Sequence, residues 1–371
     1  MAIRLSNFLQ RQRREFQAFQ IEVSTYCSLE CPTCPKGVFA EQWIFQKMSL
    51  ETFQKISPLF PLSRWVSFHG WGDPLENENI IPMLRLAKQA NCLTSLTTPG
   101  ILLTEELSEQ FIDEGLDRIV VYLNAAGRLA QEKDHPDADF REILMSVKKM
   151  VDLKKRLNRK HPIVTLSLPV TRMNINKLPD VIPLGSKLRV NELEFTHLNY
   201  LPTENSNILR TFYHVSPNPA FEKSMEEIKR LGKKMGIPVK TSPLKAEETI
   251  ICEANPPRSV FFSVDGSVAP CDYLRLPKKG DIPRVFLNKE YLVPQTFFGN
   301  INHDDFQGIL KKEPYLRLRK TFEDRRKTQV GTVQLWDAFA AAKSSSGTPK
   351  IAEAPPPLPE VCQTCYKAYG V

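Results

Sequence analysis

The sequence predicts an α/β fold: six parallel strands, each followed by a helix, with a smaller α+β region after them. Three observations carry this. Between residue 19 and about residue 240, short apolar runs alternate with stretches whose apolar residues recur at three- and four-residue steps, a pattern that builds parallel sheets with helices outside. After about residue 245 the pattern changes, and SVFFSVDGSVAPC (259–271) reads as a β-hairpin turning at Asp265 and Gly266. The chain has 371 residues, 42% hydrophobic and 25% charged, which is enough for one large or two modest folded units.

FQIEVST (19–25) is the first strand, and a cysteine-bearing loop follows it. WVSFHGW (65–71) is the second strand, followed by the helical ENIIPMLRLAKQA. LTSLTT (93–98) precedes a helix over 104–115, with Thr104 placed as N-cap and Gly115 as its stop. DRIVVYLN (117–124) precedes FREILMSVKKMVDLKKRL, and IVTLSLPV (163–170) precedes the shorter NINKLPDVIPL. ELEFTHL (192–198) precedes the helix 221–236. A basic, helix-like stretch spans 304–327, and KSSSGTPKIAEAPPPLP (343–359) has the composition of a linker. Three regions follow: a basic N-terminal segment (1–18), the strand–helix region (19–245), and a C-terminal region (246–371) with the Pro-rich linker inside it. Sites on such sheets gather at the carboxyl ends of the strands, where the cysteine loop opens.

That loop, CSLECPTC, places Cys27, Cys31 and Cys34 within eight residues. Four thiolates close a metal site; three leave one position open. A zinc site would want a fourth ligand nearby, and the nearest histidine, His69, lies on another element. A [4Fe–4S] cube on three thiolates keeps one iron free for an exogenous ligand. Pro32 and Pro35 oppose helix within the loop and favour a wrap. Three buried core cysteines, or two bridging zinc with distant ligands, are the bland alternatives.

Cys27-x3-Cys31-x2-Cys34 after the first strand resembles the signature of the radical S-adenosylmethionine enzymes. The resemblance implies a partial (β/α)6 TIM-like barrel over about 19–240. It also implies a free iron that binds the amino and carboxylate groups of S-adenosylmethionine, whose reductive cleavage yields a hydrogen-abstracting 5′-deoxyadenosyl radical. Gly70-Trp71-Gly72-Asp73-Pro74 stands where the family carries a Gly-Gly-Glu-Pro-like turn, so Gly70, Trp71, Gly72 and Asp73 are implied cofactor contacts. Thr98-Pro99-Gly100 replaces Thr-Asn-Gly after strand three, and Tyr122-Leu123-Asn124 replaces Ser-x-Asp after strand four, which implicates Tyr122 and Asn124. Thr171 and Arg172, followed by Asn174, close strand five, where a polar or basic group often holds the methionine carboxylate. Thr33 stands where many members have an aromatic residue.

Cys252, Cys271, Cys362 and Cys365 form a second set of four thiols. Cys252-x13-Gly266-x4-Cys271 is similar to the opening of the SPASM and related twitch extensions of that superfamily, which implies one fully ligated auxiliary [4Fe–4S] cluster. The alternative from the residues alone is a zinc knot. Cys92 is left over and reads as a buried small hydrophobe, its sharper reading being a hydrogen donor to a substrate radical. His69, Trp71, His197 and Asn199, near strand ends, are substrate-site candidates.

The formal net charge is +8. Arg4, Arg11, Arg13 and Arg14 face only Glu15, and 310–328 holds eight basic and three acidic residues. These are solvated helix faces or docking sites for an acidic electron donor such as flavodoxin or ferredoxin. No aromatic platform accompanies the charge, which speaks against nucleic acid. No run approaches a membrane span, and the first segment lacks the apolar core of a secretory signal, so a cytoplasmic protein without a membrane partner is expected. The expected function is a radical S-adenosylmethionine enzyme making an oxidative change in a small molecule or a protein or peptide. Because strand one begins by about residue 19, no leader-binding domain is expected before it, which favours a small molecule or a leaderless target. Redox-neutral epimerisation or rearrangement is the alternative chemistry. An iron–sulfur carrier or scaffold, or a zinc-bearing nucleic-acid-binding protein, are the alternatives of other classes.

Overall fold

The structure is a computed structural model that describes residues 14–31, 33–123, 138–341 and 354–371. The strands of the first region are β1 (Phe16–Ile21), β2 (Ser63–Phe68), β3 (Leu93–Thr98), β4 (Arg118–Tyr122), β5 (Ile163–Val170), β6 (Glu192–His197) and β7 (Val239–Thr241). Its helices are α1 (Pro35–Val38), α2 (Leu50–Ile56), α3 (Ile80–Gln89), α4 (Glu105–Asp113), α5 (Ala138–Arg156), α6 (Val181–Leu188), α7 (Glu204–Ile208) and α8 (Pro219–Met235). The C-terminal region adds β8 (Ser259–Phe262), β9 (Ser267–Ala269), β10 (Ile282–Phe286), β11 (Lys289–Val293), β12 (Gly299–Asn300), α9 (Phe306–Ile309) and α10 (Glu313–Ala341).

Among the described residues one ten-stranded sheet runs in the order β12-β9-β8-β1-β2-β3-β4-β5-β6-β7. From β8 to β7 every neighbouring pair is parallel. The ends do not pair, so this is a partial barrel, with helices on its outside as the strand–helix alternation requires. β3 and β5 have the predicted bounds. β5 is buried along nearly its whole length, as a central strand covered on both faces must be. Thr104 caps α4 by accepting from the Leu107 amide at 3.1 Å, and Gly115 ends that turn at φ 76°, a conformation that costs glycine little.

The first two strands end earlier than their apolar runs. β1 ends at Ile21 and β2 at Phe68, so 22–25 and 69–73 form connecting straps beyond the strand ends. The predicted hairpin is present: β8 and β9 pair antiparallel, with Gly266 at φ 83°.

Two joints were not legible beforehand. β7 extends the sheet beyond β6, pairing Leu193 with Val239. β8 pairs parallel with β1, setting Phe19 against Val260 and Ile21 against Phe262. The sheet therefore runs unbroken across residue 245. Phe19 packs edge-on against Phe262 at 5.4 Å and against Phe306 at 6.0 Å. Burying each such ring contributes roughly 2–3 kcal/mol.

Some residues of the two charge runs are engaged within the fold. Arg14 donates to the Ala90 and Asn91 carbonyls and to the Cys92 sulfur; Arg4, Arg11 and Arg13 lie outside the described residues. On α10, Arg317 pairs with Glu313, Arg319 with Glu15 and Glu323, and Lys327 with Asp324, while Arg325 is fully buried. Of the Pro-rich linker, 343–353 lies outside the described residues; Leu358 is buried. No helix among the described residues is long and apolar enough to cross a membrane.

Candidate active site and auxiliary cavity

The three-cysteine loop hangs from the carboxyl end of β1. Pro35 opens α1, whose turn brings the Gly37 and Val38 amides to the Cys34 carbonyl at 3.0 and 3.1 Å. The Cys34 amide donates to the Cys31 carbonyl at 2.9 Å. Lys36 staples the loop from beneath, its Nζ donating to the Cys27 and Leu29 carbonyls at 2.6 and 2.9 Å. Burial pushes the Cys27 thiol up to about 12 and raises Cys34, and Cys31 acts on both. Tyr122, at the end of β4, has its hydroxyl raised first by burial and then by Cys31 and Cys34, so it borders the thiols. Thiols held so far from ionisation need a metal's positive charge to become ligands.

Beside the loop runs the strap 69–74. A Cβ on Gly72 would stand 2.5 Å from the Ser24 carbonyl oxygen and 2.6 Å from the Thr25 Cα, so only glycine passes there. Asp73 is fully buried. Its amide donates to the Tyr26 carbonyl at 2.7 Å, and its Oδ1 accepts from Leu75 N and Thr98 Oγ1 at 3.0 and 2.8 Å. Oδ2 is buried without a partner. Burial raises the Asp73 carboxyl to about 6, so it carries its charge near neutrality. Asp73 acts electrostatically on Cys27. An unpartnered buried carboxylate oxygen beside the cysteine loop fits an ammonium group.

Glu22 had no sequence signal. Its Oε1 accepts from the Trp71 amide at 2.8 Å and its Oε2 from the Val264 amide at 3.4 Å, tying the strap to the end of β8. A Cβ on Gly70 would lie 2.5 Å from its Cγ. Burial raises its carboxyl from 4.5 to about 8. The folded state thus holds a proton that the unfolded chain releases, and this stabilisation is lost as pH rises from about 4.5 through about 8. We expect Glu22→Gln to be near neutral at about pH 5 and to stabilise by roughly 3 kcal/mol at about pH 9. Urea denaturation at the two pH values checks this, and an equal effect at both would refute it.

The remaining candidates divide. Thr171 and Asn174 build a closed turn, the Asn174 Oδ1 accepting from the Thr171 amide and its Nδ2 donating to the Pro169 carbonyl. Arg172 is engaged with the Arg210 carbonyl and the Tyr213 hydroxyl, both at 2.9 Å, so it pins the loop after α7. Asn124 lies outside the described residues. His197 is buried between Thr211 and the Pro243 carbonyl; desolvation lowers it to about 4, which suits a neutral structural histidine. Asn199 bonds the Val371 carbonyl and the Tyr273 hydroxyl. Trp71 donates from Nε1 to the Asp272 carbonyl at 3.0 Å and packs on Tyr200 and Tyr273. His69 stands 3.8 Å from Asp272. Trp71 and His69 thus meet the C-terminal region at the residue that follows Cys271.

Cys252, Cys271, Cys362 and Cys365 line one cavity, with Arg284 and Lys367 in its wall. The Cys365 amide donates to the Cys362 carbonyl at 3.1 Å, and the Asn255 amide to the Cys252 carbonyl at 2.9 Å, so each thiol sits on a tight turn. Burial raises Cys252 to about 11 and lifts Cys271 and Cys362 as well. Among the described residues, no group of three or more His, Cys, Asp or Glu side chains is arranged to hold a single metal ion. Four thiols around one cavity supply the number of ligands that a cubane cluster takes. Cys92 is buried at the opposite end of the sheet, its Sγ at 3.3 Å from the Phe60 carbonyl and 3.5 Å from that of Ser63. Ser63 begins β2, so Cys92 lies about 17 Å of strand from the cysteine loop.

Comparison with known proteins agrees with this geometry. Residues 252–332 match the SPASM family, described as an iron–sulfur cluster-binding domain. The chain is 21% identical over 305 residues to the tungsten-containing aldehyde ferredoxin oxidoreductase cofactor-modifying protein of Pyrococcus furiosus, covering 81% of this chain and 82% of that one. It is 22% identical over 198 residues to the PqqA peptide cyclase of Bradyrhizobium diazoefficiens, covering 52% of this chain and half of that one. Streptococcus suis SuiB, solved bound to S-adenosylmethionine, shares its fold at a TM-score of 0.57 and 12% identity, over 85% of this chain and 70% of that one. The anSMEcpe structure with bound AdoMet and the Cp18Cys peptide gives a TM-score of 0.52 at 14% identity, over 82% and 83%. With its three-cysteine loop, parallel partial barrel and C-terminal four-cysteine cavity, the chain carries a SPASM-type iron–sulfur domain over 252–332 and is similar to radical S-adenosylmethionine proteins that carry such a domain.

Proposed function

We propose that the chain is an enzyme that uses S-adenosylmethionine for a two-electron oxidation of a peptide or small cofactor precursor. When bound, the open-iron cluster and S-adenosylmethionine together supply a hydrogen-abstracting organic radical. In this reading Cys27, Cys31 and Cys34 hold the cluster, and Lys36 fixes their loop. Gly72 lets the strap lie against Ser24 and Thr25. Asp73 Oδ2 receives the ammonium of the methionine moiety. Gly70 and Trp71 position that strap through Glu22, and Tyr122 borders the cysteines as a cofactor contact. Asn124, Thr171 and Arg172 remain proposed contacts from the strand ends. Cys252, Cys271, Cys362 and Cys365 hold the auxiliary cluster. The observation that carries the reading is the unpartnered, buried Asp73 Oδ2 beside the cysteine loop.

Oxidation is favoured over epimerisation because Cys92, the thiol considered as a hydrogen donor, sits at the far end of the sheet. The relatives' printed activities, cofactor modification and peptide cyclisation, support a peptide or cofactor substrate. An acidic flavodoxin or ferredoxin as electron donor and a cytoplasmic setting complete the proposal.

The test is anaerobic incubation of the reconstituted protein with dithionite and S-adenosylmethionine; 5′-deoxyadenosine is the expected product and its absence refutes the reading. Asp73→Asn should raise the S-adenosylmethionine concentration required by about ten- to a hundred-fold, the loss of one charged hydrogen bond, with the cluster's visible absorption unchanged. An unaltered requirement removes Asp73 from the site.

A further inference from the structure

Arg284 is 3% exposed, and among the described residues it forms no ion pair. It sits on β10, where strand alternation places it on the same face as Ile282 and Phe286. Its guanidinium donates to the Val361 carbonyl at 3.1 Å and to the Tyr273 carbonyl. Val361 precedes Cys362, and Tyr273 lies two residues after Cys271. Its Nε–H is buried with no partner, and Arg284 lines the cavity of the four cysteines. A buried charge left without a counter-charge is strongly unfavourable, so a guanidinium kept dry here needs an anion.

The other charges around the cavity do not supply one. Lys367 is itself a cation, over the Tyr273 ring at 4.0 Å and paired with Glu253 at 3.5 Å and Asp272 at 3.8 Å. Arg325, which also acts on Cys362, is engaged by Glu248 and the Ile250 and Thr249 carbonyls. A cubane on four thiolates is a net anion whose sulfurs accept hydrogen bonds, and it gains a further negative charge on reduction. Hydrogen bonds to the sulfurs and nearby charge set such a cluster's potential.

We propose that Arg284 donates its Nε–H to a sulfur of the auxiliary cluster and biases that cluster toward its reduced state. This rests on the four cysteines holding a cluster, and it makes Arg284 a positioning and tuning residue. The one electron concerned enters from dithionite in the test and, in turnover, from the substrate radical.

The test uses full-length protein whose barrel site is emptied by Cys27→Ala, Cys31→Ala and Cys34→Ala together, so that only the auxiliary cluster titrates. Arg284→Met should retain about four irons per chain and show a lower midpoint potential by EPR-monitored titration, with Arg284→Lys between it and the parent. In the parent, [15N]arginine labelling should change the nitrogen coupling seen by pulsed EPR of the reduced cluster. That labelling measurement decides if the methionine variant loses its iron. An unchanged potential with iron retained, or no label-sensitive coupling, overturns the proposal. No iron in the parent of this series overturns the four-cysteine reading and the inference with it.

Discussion

Replacing any one of Cys27, Cys31 and Cys34 with alanine is expected to lower 5′-deoxyadenosine formation by more than a hundred-fold. Changing even an outer partner of a metal ligand costs about 10- to 100-fold, and in the proposed function these three are the ligands themselves. The loop offers no substitute, because Lys36 fixes its Cys27 end through two carbonyls and α1 fixes its Cys34 end. The strap, Asp73 and Trp43 are held by backbone and hydroxyl groups rather than by thiols. The variants should therefore remain folded by circular dichroism while losing activity. Cys92→Ala is the control, being buried at the other end of the sheet, and should keep 5′-deoxyadenosine formation. Normal cleavage by any of the three variants with iron reconstituted would end the assignment.

Cys362→Ala with Cys365→Ala is expected to reduce bound iron from about eight to about four per chain. 5′-Deoxyadenosine formation should survive, because the barrel loop and Asp73 lie on other elements. Oxidised product should not form, because the electron leaving the substrate would have lost its acceptor. The segment around these cysteines has its own anchors: Tyr366 packs on Phe212 at 4.7 Å and accepts from Arg210. Two small thiols can thus be removed without releasing it. Undiminished iron would show that these thiols are not ligands, and full product formation would show that the auxiliary cluster is not the acceptor.

The strand–helix units were legible because each writes its own period. β3 and β5 were readable to the residue, and α4 showed its cap and its stop. The cysteine spacing was equally local, as was the hairpin at Gly266. The β8–β1 joint was not, because it pairs residues some 240 positions apart and a parallel partner leaves no mark in the sequence of either strand. Glu22 and Arg284 escaped for a related reason. Each is one charged residue within a strand-like run, and only the folded chain shows what surrounds it. Arg172 is proposed from its place at a strand end, and its further use in fastening the loop after α7 is visible only in the folded chain.

The parallel pairing of β8 with β1 means that the first strand of the barrel is not an edge. Expressed without residues beyond 245, the chain would present the β1 ladder, with Phe19 and Ile21, as an open seam of unpaired amides and carbonyls. Such seams recruit other chains. A truncated barrel would thus tend to stick to itself rather than persist as a simpler enzyme, and the C-terminal region acts as a guard on the barrel's solubility as well as a room for a second cofactor.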